Sequence, residues 1–328
     1  MTELVPTAGA QLTTTGDLNA AAESWSRFIG RSDRTKQAYT DNIRRFLQYC
    51  IDAGQYPPTE ETVYQYKDYL EKHYKATTAS AYLAAVRLFF RWTSSRGVYP
   101  NIAENIHGAK ISRDHKRDDL TPDECAAVLE GIDRTDEAGA RDYAIVLTMI
   151  CCGLRDIEIS RANVEDIAQR GDRVRLYLMG KGRQERTDYV HLPPEALDAI
   201  RDYLQLRTNR EGRTIDGSAP LFASLSHNNT KGGRMTTRAI SGIAKRSLQA
   251  AGFDDARLTA HSLRHAAVSN ALRGGEDIRA VQEFARHADI STTLIYAHDL
   301  DREKNTCTDT IARLIFREGG AGQRAAGQ

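Results

Sequence analysis

Six residues of this chain have the types and the order needed to cut a phosphodiester with a phenol. Arg155 lies in CGLRDIEIS and Lys181 in MGKGRQER; His261 and Arg264 lie in AHSLRHAAVSNAL, and His287 and Tyr296 in ARHADISTTLIYAHDL. Attack of a phenol oxygen on phosphorus needs cations around the pentavalent phosphate, a proton donor for the leaving oxygen and a nucleophile held in line. Two arginines, a lysine, two histidines and one tyrosine supply these parts. A free tyrosine has a pKa of about 10, so nearby cations and a base must activate it. The chain has 14 tyrosines, and only the setting STTLIYAH singles one out.

The elements that must carry these residues follow from local pattern. An apolar run from Tyr143 leads to Gly153, which is expected to end one helix so that Arg155 opens the next. A guanidinium there can donate two parallel hydrogen bonds to non-bridging phosphate oxygens, and Glu158, one turn later, can hold it in place. His261 and Arg264 are three apart and share a helix face. Arg264 would be the second phosphate clamp. His261 would either exchange a proton with the tyrosine oxygen or hydrogen-bond the phosphate. Leu263, Ala267 and Leu272 give that helix a buried side, and Gly274-Gly275 ends it. His265, one turn from His261, reads as structural. Val174, Leu176 and Leu178 alternate before Gly180-Lys181-Gly182, and Val190 and Leu192 follow it, so Lys181 is expected at the tip of a β-hairpin. Taken singly, each piece also fits a surface ion pair or a solvated turn. The ordered set carries the chemistry.

In order and wording these segments resemble the tyrosine recombinases, a family that includes Xer proteins and phage integrases. The resemblance runs from about residue 20 to about residue 316 and is densest between Arg155 and Tyr296. It implies a mainly α fold with a small β-sheet: an all-helical core-binding domain and a mixed α+β catalytic domain. It also implies that Tyr296 forms a 3′-phosphotyrosyl link and releases a 5′-hydroxyl, whose counterpart from a partner strand reverses the step. Lys181 would be the general acid, and His287 would support the transition state. The covalent link conserves phosphodiester energy, so no ATP, metal ion or other cofactor is implied. The expected partner is double-stranded DNA with paired, inverted core sites. A homotetramer, joined through the final helix, would exchange strands through a Holliday junction, and accessory proteins are possible partners. The chain departs from the family at Ala285-Arg286-His287, where Xer proteins usually carry Leu-Gly-His; a glycine is lost from the turn before His287. Two further readings stand beside recombination: a type IB topoisomerase-like enzyme that reseals its own strand, and a non-catalytic DNA-binding protein on the same scaffold. Within recombination, both integration or excision of a mobile element and resolution of DNA dimers are open.

Residues 1–16 read as a flexible lead-in and 17–106 as the helical domain. Trp25, Phe28 and Ile29 mark a first helix by their spacing, and Tyr39, Ile43, Phe46, Leu47 and Cys50 a second. Val63, Tyr66, Tyr69 and Leu70 mark a third, which Thr59 would cap, although Thr62 stands where a capping box wants an acid or amide. Tyr82, Leu83, Val86, Phe89, Phe90 and Trp92 mark a fourth. Residues 107–119, HGAKISRDHKRDD, read as an extended linker. The catalytic domain, 120–317, starts on a helix with Thr121 as N-cap, Pro122 in its first turn and Glu124 completing the box. Its last stretch keeps an apolar spacing at Cys307, Ile311, Leu314 and Ile315, a face that packs either on its own domain or on a neighbour. Residues 318–328 read as a disordered tail, and no arm-binding domain is expected ahead of the helical domain.

Bulk composition fits two cores: 328 residues, 41% hydrophobic and 27% charged. Forty-five basic against 44 acidic residues leave a net charge of +1, so DNA binding requires that the charges be segregated. The five cysteines have neither zinc spacing nor a secretory framework, and Cys151 and Cys152 at the end of the apolar run read as buried thiols. The absence of a signal peptide or an apolar span makes a cytoplasmic protein the default expectation.

Overall fold

The computed structural model describes residues 15–30, 33–108, 119–179, 185–226 and 232–300. They form two compact units, one on either side of segment 109–118.

The first unit is all helical: α1 (Thr15–Ser26), α2 (Asp33–Asp52), α3 (Glu60–His73) and α4 (Ala76–Ser95). Its core is aromatic. Phe46, Phe89 and Phe90 are fully buried, with Trp25 edge-on to Phe89 at 5.5 Å between centroids and Phe46 edge-on to Phe90 at 5.8 Å. Such pairs add specific geometry to a large apolar burial. The helix expected around Trp25, Phe28 and Ile29 stops earlier than its spacing suggests. The Arg27 and Phe28 amides reach only three residues back, to the Ser24 and Trp25 carbonyls, so the last turn tightens and ends. Phe28 then lies exposed, with the Arg96 guanidinium 4.6 Å from its ring centre. Thr59 caps α3, and the hydroxyl of Thr62 accepts from the Thr59 amide at 3.0 Å. A threonine thus closes a box whose pattern asks for an acid or amide.

The second unit contains α5 (Pro122–Glu130), α6 (Glu137–Cys152), α7 (Asp156–Arg161), β1 (Ile167–Arg170), β2 (Arg173–Leu178), β3 (Asp188–Leu192), α8 (Pro194–Glu211), α9 (Thr237–Ala250), α10 (Ala260–Arg273), α11 (Ile278–Ala285) and α12 (Ile290–Leu300). Thr121 and Glu124 form the expected capping box at the start of α5. The central helix is α6, buried from Ala144 to Met149 and packed on α8, α9 and α10. The sheet is antiparallel in the order β1-β2-β3. Leu176 pairs with Val190 and Val174 with Leu192, and Leu176, Leu178, Val190 and Leu192 are buried on one face. This is the hairpin read from the alternation. Strand β1 had no such signal, because its short IAQR buries no residue fully.

The fold is therefore mainly α with one small sheet, as expected. Cys152 is buried, but Cys151 is exposed and corrects the reading of both as core thiols. Successive residues at a helix end point about 100° apart, so one faces the core and its neighbour faces out. Among the described residues no helix is long and apolar enough to cross a membrane. Most of the expected lead-in, whose residues 15 and 16 already belong to α1, most of the linker, the hairpin tip and the stretch from Cys307 onward lie outside the described residues.

Candidate active site

The site is assembled from two helix ends and two helix faces. Gly153 closes α6 in a left-handed turn at φ 57°, and a Cβ there would stand 3.1 Å from Cζ of Phe284. Glycine takes that backbone without strain, and a larger residue would also press on the Phe284 ring. The chain then extends through Arg155, the N-cap residue of α7. Glu158 takes hold of it twice: Oε2 accepts from the Arg155 amide at 2.8 Å, and Oε1 accepts from Arg155 Nη1 at 2.7 Å. Burial alone would raise the Glu158 carboxyl, but Arg286, the Arg155 amide and the Arg155 charge hold it below the usual carboxylate range.

Helix α10 brings in Arg264 with its guanidinium buried. Nη1 donates to the Gly153 carbonyl and Nη2 to the Ala285 carbonyl. Arg155 Nη2 also donates to the Ala285 carbonyl, at 3.3 Å. One carbonyl thus joins the two guanidiniums that the sequence places 109 residues apart, from position 155 to position 264. Burial, together with Arg155 and Arg286, pushes Arg264 down to about 9, which leaves it cationic at neutral pH.

The glycine missing before His287 does not abolish the turn. Arg286 itself adopts the left-handed conformation, φ 53° and ψ 45°, and caps α11. His287 Nδ1 lies 3.0 Å from the buried hydroxyl of Thr293, and its ring stacks at 15° and 6.3 Å on the ring of Tyr296. The Tyr296 hydroxyl is hydrogen-bonded to Nδ1 of His265. The two rings are 5.1 Å apart, and His261 stands edge-on to His265 at 4.2 Å. The structure thus gives the tyrosine oxygen to His265, the residue read as structural, and leaves His261 exposed beside it.

Electrostatics keep this cluster neutral apart from the arginines. Burial and then His261 and Arg264 push His265 down to about 4; burial and then Arg264, Arg155 and Arg286 push His287 down to about 4. His261, exposed as a residue but with its ring partly screened from water, is lowered by that partial burial and by Arg264 and Arg155. Tyr296 is raised by burial, against which Arg264 and Arg155 pull. Among the described residues the guanidiniums of Arg155 and Arg286 meet at the buried Glu158 carboxylate with that of Arg264 beside them, while Asp119 acts on His265 and Tyr296 and Asp156 on His261.

Arg155, Glu158, Arg264, His287 and Tyr296 are thereby brought together, with His261 one ring away; Lys181 lies outside the described residues. Sequence reasoning missed His265 and Arg286. The spacing held a signal for the first, because His265 is four residues from His261 and one from Arg264 on the same helix. For the second, the departure from Leu-Gly-His was legible as a lost glycine but not as a gained charge.

The chain matches the phage integrase family over residues 118–303 and the phage integrase N-terminal SAM-like domain over residues 19–98. It belongs to the phage integrase family of tyrosine recombinases. The tyrosine recombinase XerC of Pelobacter propionicus is 31% identical to it over 83% of this chain and 87% of the relative. XerD of Vibrio cholerae is 28% identical over 82% and 87%. Among solved structures, the XerH recombinase bound to its palindromic difH substrate in a post-cleavage complex has a TM-score of 0.71 at 19% identity, over 91% of this chain and 84% of that one. A lambda integrase dimer on a COC′ core site has a TM-score of 0.66 at 17% identity, over 90% and 98%. Both share the fold. The recombinase is thus an enzyme of site-specific DNA cleavage and rejoining. The comparisons favour that activity over topoisomerase-like resealing and over a scaffold without catalysis.

Proposed function

We propose that Tyr296 is the nucleophile of this recombinase and that Arg155 and Arg264 clamp the scissile phosphate. The observation that carries this reading is the sharing of the Ala285 carbonyl by the two guanidiniums, beside a tyrosine packed on His265 and His287. A phosphate oxygen is a stronger acceptor than a carbonyl, so it displaces the carbonyl partners and receives donors already in place. His265 takes the phenol proton as the oxygen attacks phosphorus, with His261 and His287 hydrogen-bonding the phosphate. Lys181 protonates the departing 5′-oxygen. The products of the first step are a 3′-phosphotyrosyl link and a 5′-hydroxyl, and a 5′-hydroxyl from the partner strand reverses it. Glu158 holds Arg155 in register.

The substrate on this reading is double-stranded DNA with paired, inverted core sites, held by a homotetramer whose final segment docks on a neighbour. Exchange passes through a Holliday junction, for movement of a mobile element or for resolution of DNA dimers, with accessory proteins free to set direction. The two units correspond to a helical core-binding domain, 17–106, and a catalytic domain, 120–317, acting in the cytoplasm. The test is a nicked suicide duplex carrying the recombination site. The wild-type protein should form a covalent adduct and Tyr296→Phe none, whereas an adduct surviving in that variant would remove Tyr296 as the nucleophile.

A further inference from the structure

Glu158 has two arginine partners where holding Arg155 requires one. Its Oε1 accepts from Arg155 Nη1 at 2.7 Å and from Arg286 Nε at 3.3 Å; its Oε2 accepts from the Arg155 amide at 2.8 Å and from Arg286 Nη2 at 2.9 Å. Arg286 also donates to the Phe284 carbonyl from Nη1 at 2.7 Å and to the Gly153 carbonyl from Nη2 at 2.8 Å. The side chains of Glu158 and Arg286 are 1% and 8% exposed, against 28% for Arg155. Arg286 is therefore committed to protein at every edge, while Arg155 keeps access to solvent. Among the described residues Arg286 is also the one non-glycine residue at positive φ. Glycine would take that backbone without strain, so what the arginine adds comes from its head group.

We infer that Arg286 is a positioning residue, the standing counter-charge of Glu158, which leaves the Arg155 guanidinium free for the scissile phosphate. This rests on the reading of the pocket as a DNA-phosphate site. A buried carboxylate needs a cation. If Arg155 were its sole partner, the incoming phosphate would compete with Glu158 for one guanidinium, and binding would strand the carboxylate. With Arg286 in place, Glu158 stays paired when Nη1 of Arg155 turns toward DNA, and the Arg155 amide still anchors it. Arg286 touches neither the phosphate nor Tyr296. It acts through Glu158.

The experiment is a double-mutant cycle read by single-turnover adduct formation on the suicide duplex at varied DNA concentration, with melting temperature measured for each protein. Arg286→Gly should slow the saturating cleavage rate by at least about tenfold, and Arg286→Lys should recover part of that loss. In the Glu158→Gln background, where no buried charge needs pairing, the same Arg286→Gly change should cost less than about threefold. Equal losses in the two backgrounds would overturn the inference, as would an Arg286→Gly protein that cleaves at the wild-type rate. If Arg286→Gly alone does not fold, the comparison of Glu158→Gln with Glu158→Gln/Arg286→Gly decides: similar rates support the inference, and a tenfold loss refutes it. Absence of any wild-type adduct would instead sink the DNA-phosphate reading itself, so the two failures are separable.

Discussion

The Tyr296 hydroxyl meets Nδ1 of His265, not a nitrogen of His261. Burial raises the phenol, and burial with neighbouring charge pushes the imidazole down to about 4. At neutral pH both groups are therefore uncharged, the phenol donates, and Nδ1 accepts with the ring proton on Nε2. The tyrosine is thus parked on a base that has no proton of its own at that nitrogen.

Removing that acceptor should slow cleavage. His265→Leu is expected to lower the single-turnover rate of adduct formation by about 10- to 100-fold, and His265→Gln, which keeps an acceptor, by less. Wild-type rates in His265→Leu would show that the contact plays no part in activation.

Arg264 ties the turn after α6 to the end of α11 through the Gly153 and Ala285 carbonyls. Arg264→Ala should therefore harm fold and chemistry together. We expect a loss of about 2–4 kcal/mol in urea unfolding and of about 100-fold or more in cleavage rate. A variant of unchanged stability would contradict the buried anchoring seen here.

Gly153 is as constrained as the arginine it precedes. Its φ is 57°, and Phe284 stands 3.1 Å from the place a methyl group would take. Gly153→Ala should therefore cost about 1–2 kcal/mol and displace Arg155, two residues on. The check is thermal melting together with DNA cleavage. Full activity in a variant of lowered melting temperature would separate the turn from the clamp.

The two depressed histidines set a pH dependence of stability. His265 and His287 fall from 6.5 to about 4 on folding, so between these values the unfolded chain binds more protons and stability rises with pH. Their contribution is fully present above about 6.5 and is lost as pH falls toward about 4. The stability of the wild type should fall steeply over that window, and that of His265→Gln/His287→Gln should fall less. Parallel profiles would show that the histidines titrate freely in the fold.

Much of this was legible because it is written in local pattern. The helical stripe of Ile43, Phe46, Leu47 and Cys50, the Thr121–Glu124 box, the glycine stop at Gly153 and the alternation of β2 and β3 each have a short-range cause. Arg155 and Glu158 are three apart, so their pairing was readable as well. The end of α1, the exposure of Cys151 and strand β1 were not, since each depends on where a neighbouring element stops. His265 and Arg286 failed for a further reason: their partners, Tyr296 and Glu158, are 31 and 128 residues away. A left-handed arginine is also invisible in a pattern that expects glycine.

The most direct test of the mechanism is to find where DNA becomes attached. Adduct trapped on the suicide duplex, digested with nuclease and trypsin and analysed by mass spectrometry, should carry a nucleotide 3′-phosphate on the peptide that contains Tyr296. The same modification on any other of the 14 tyrosines, or on a serine or histidine, would contradict the assignment of the nucleophile and of the clamp built around it.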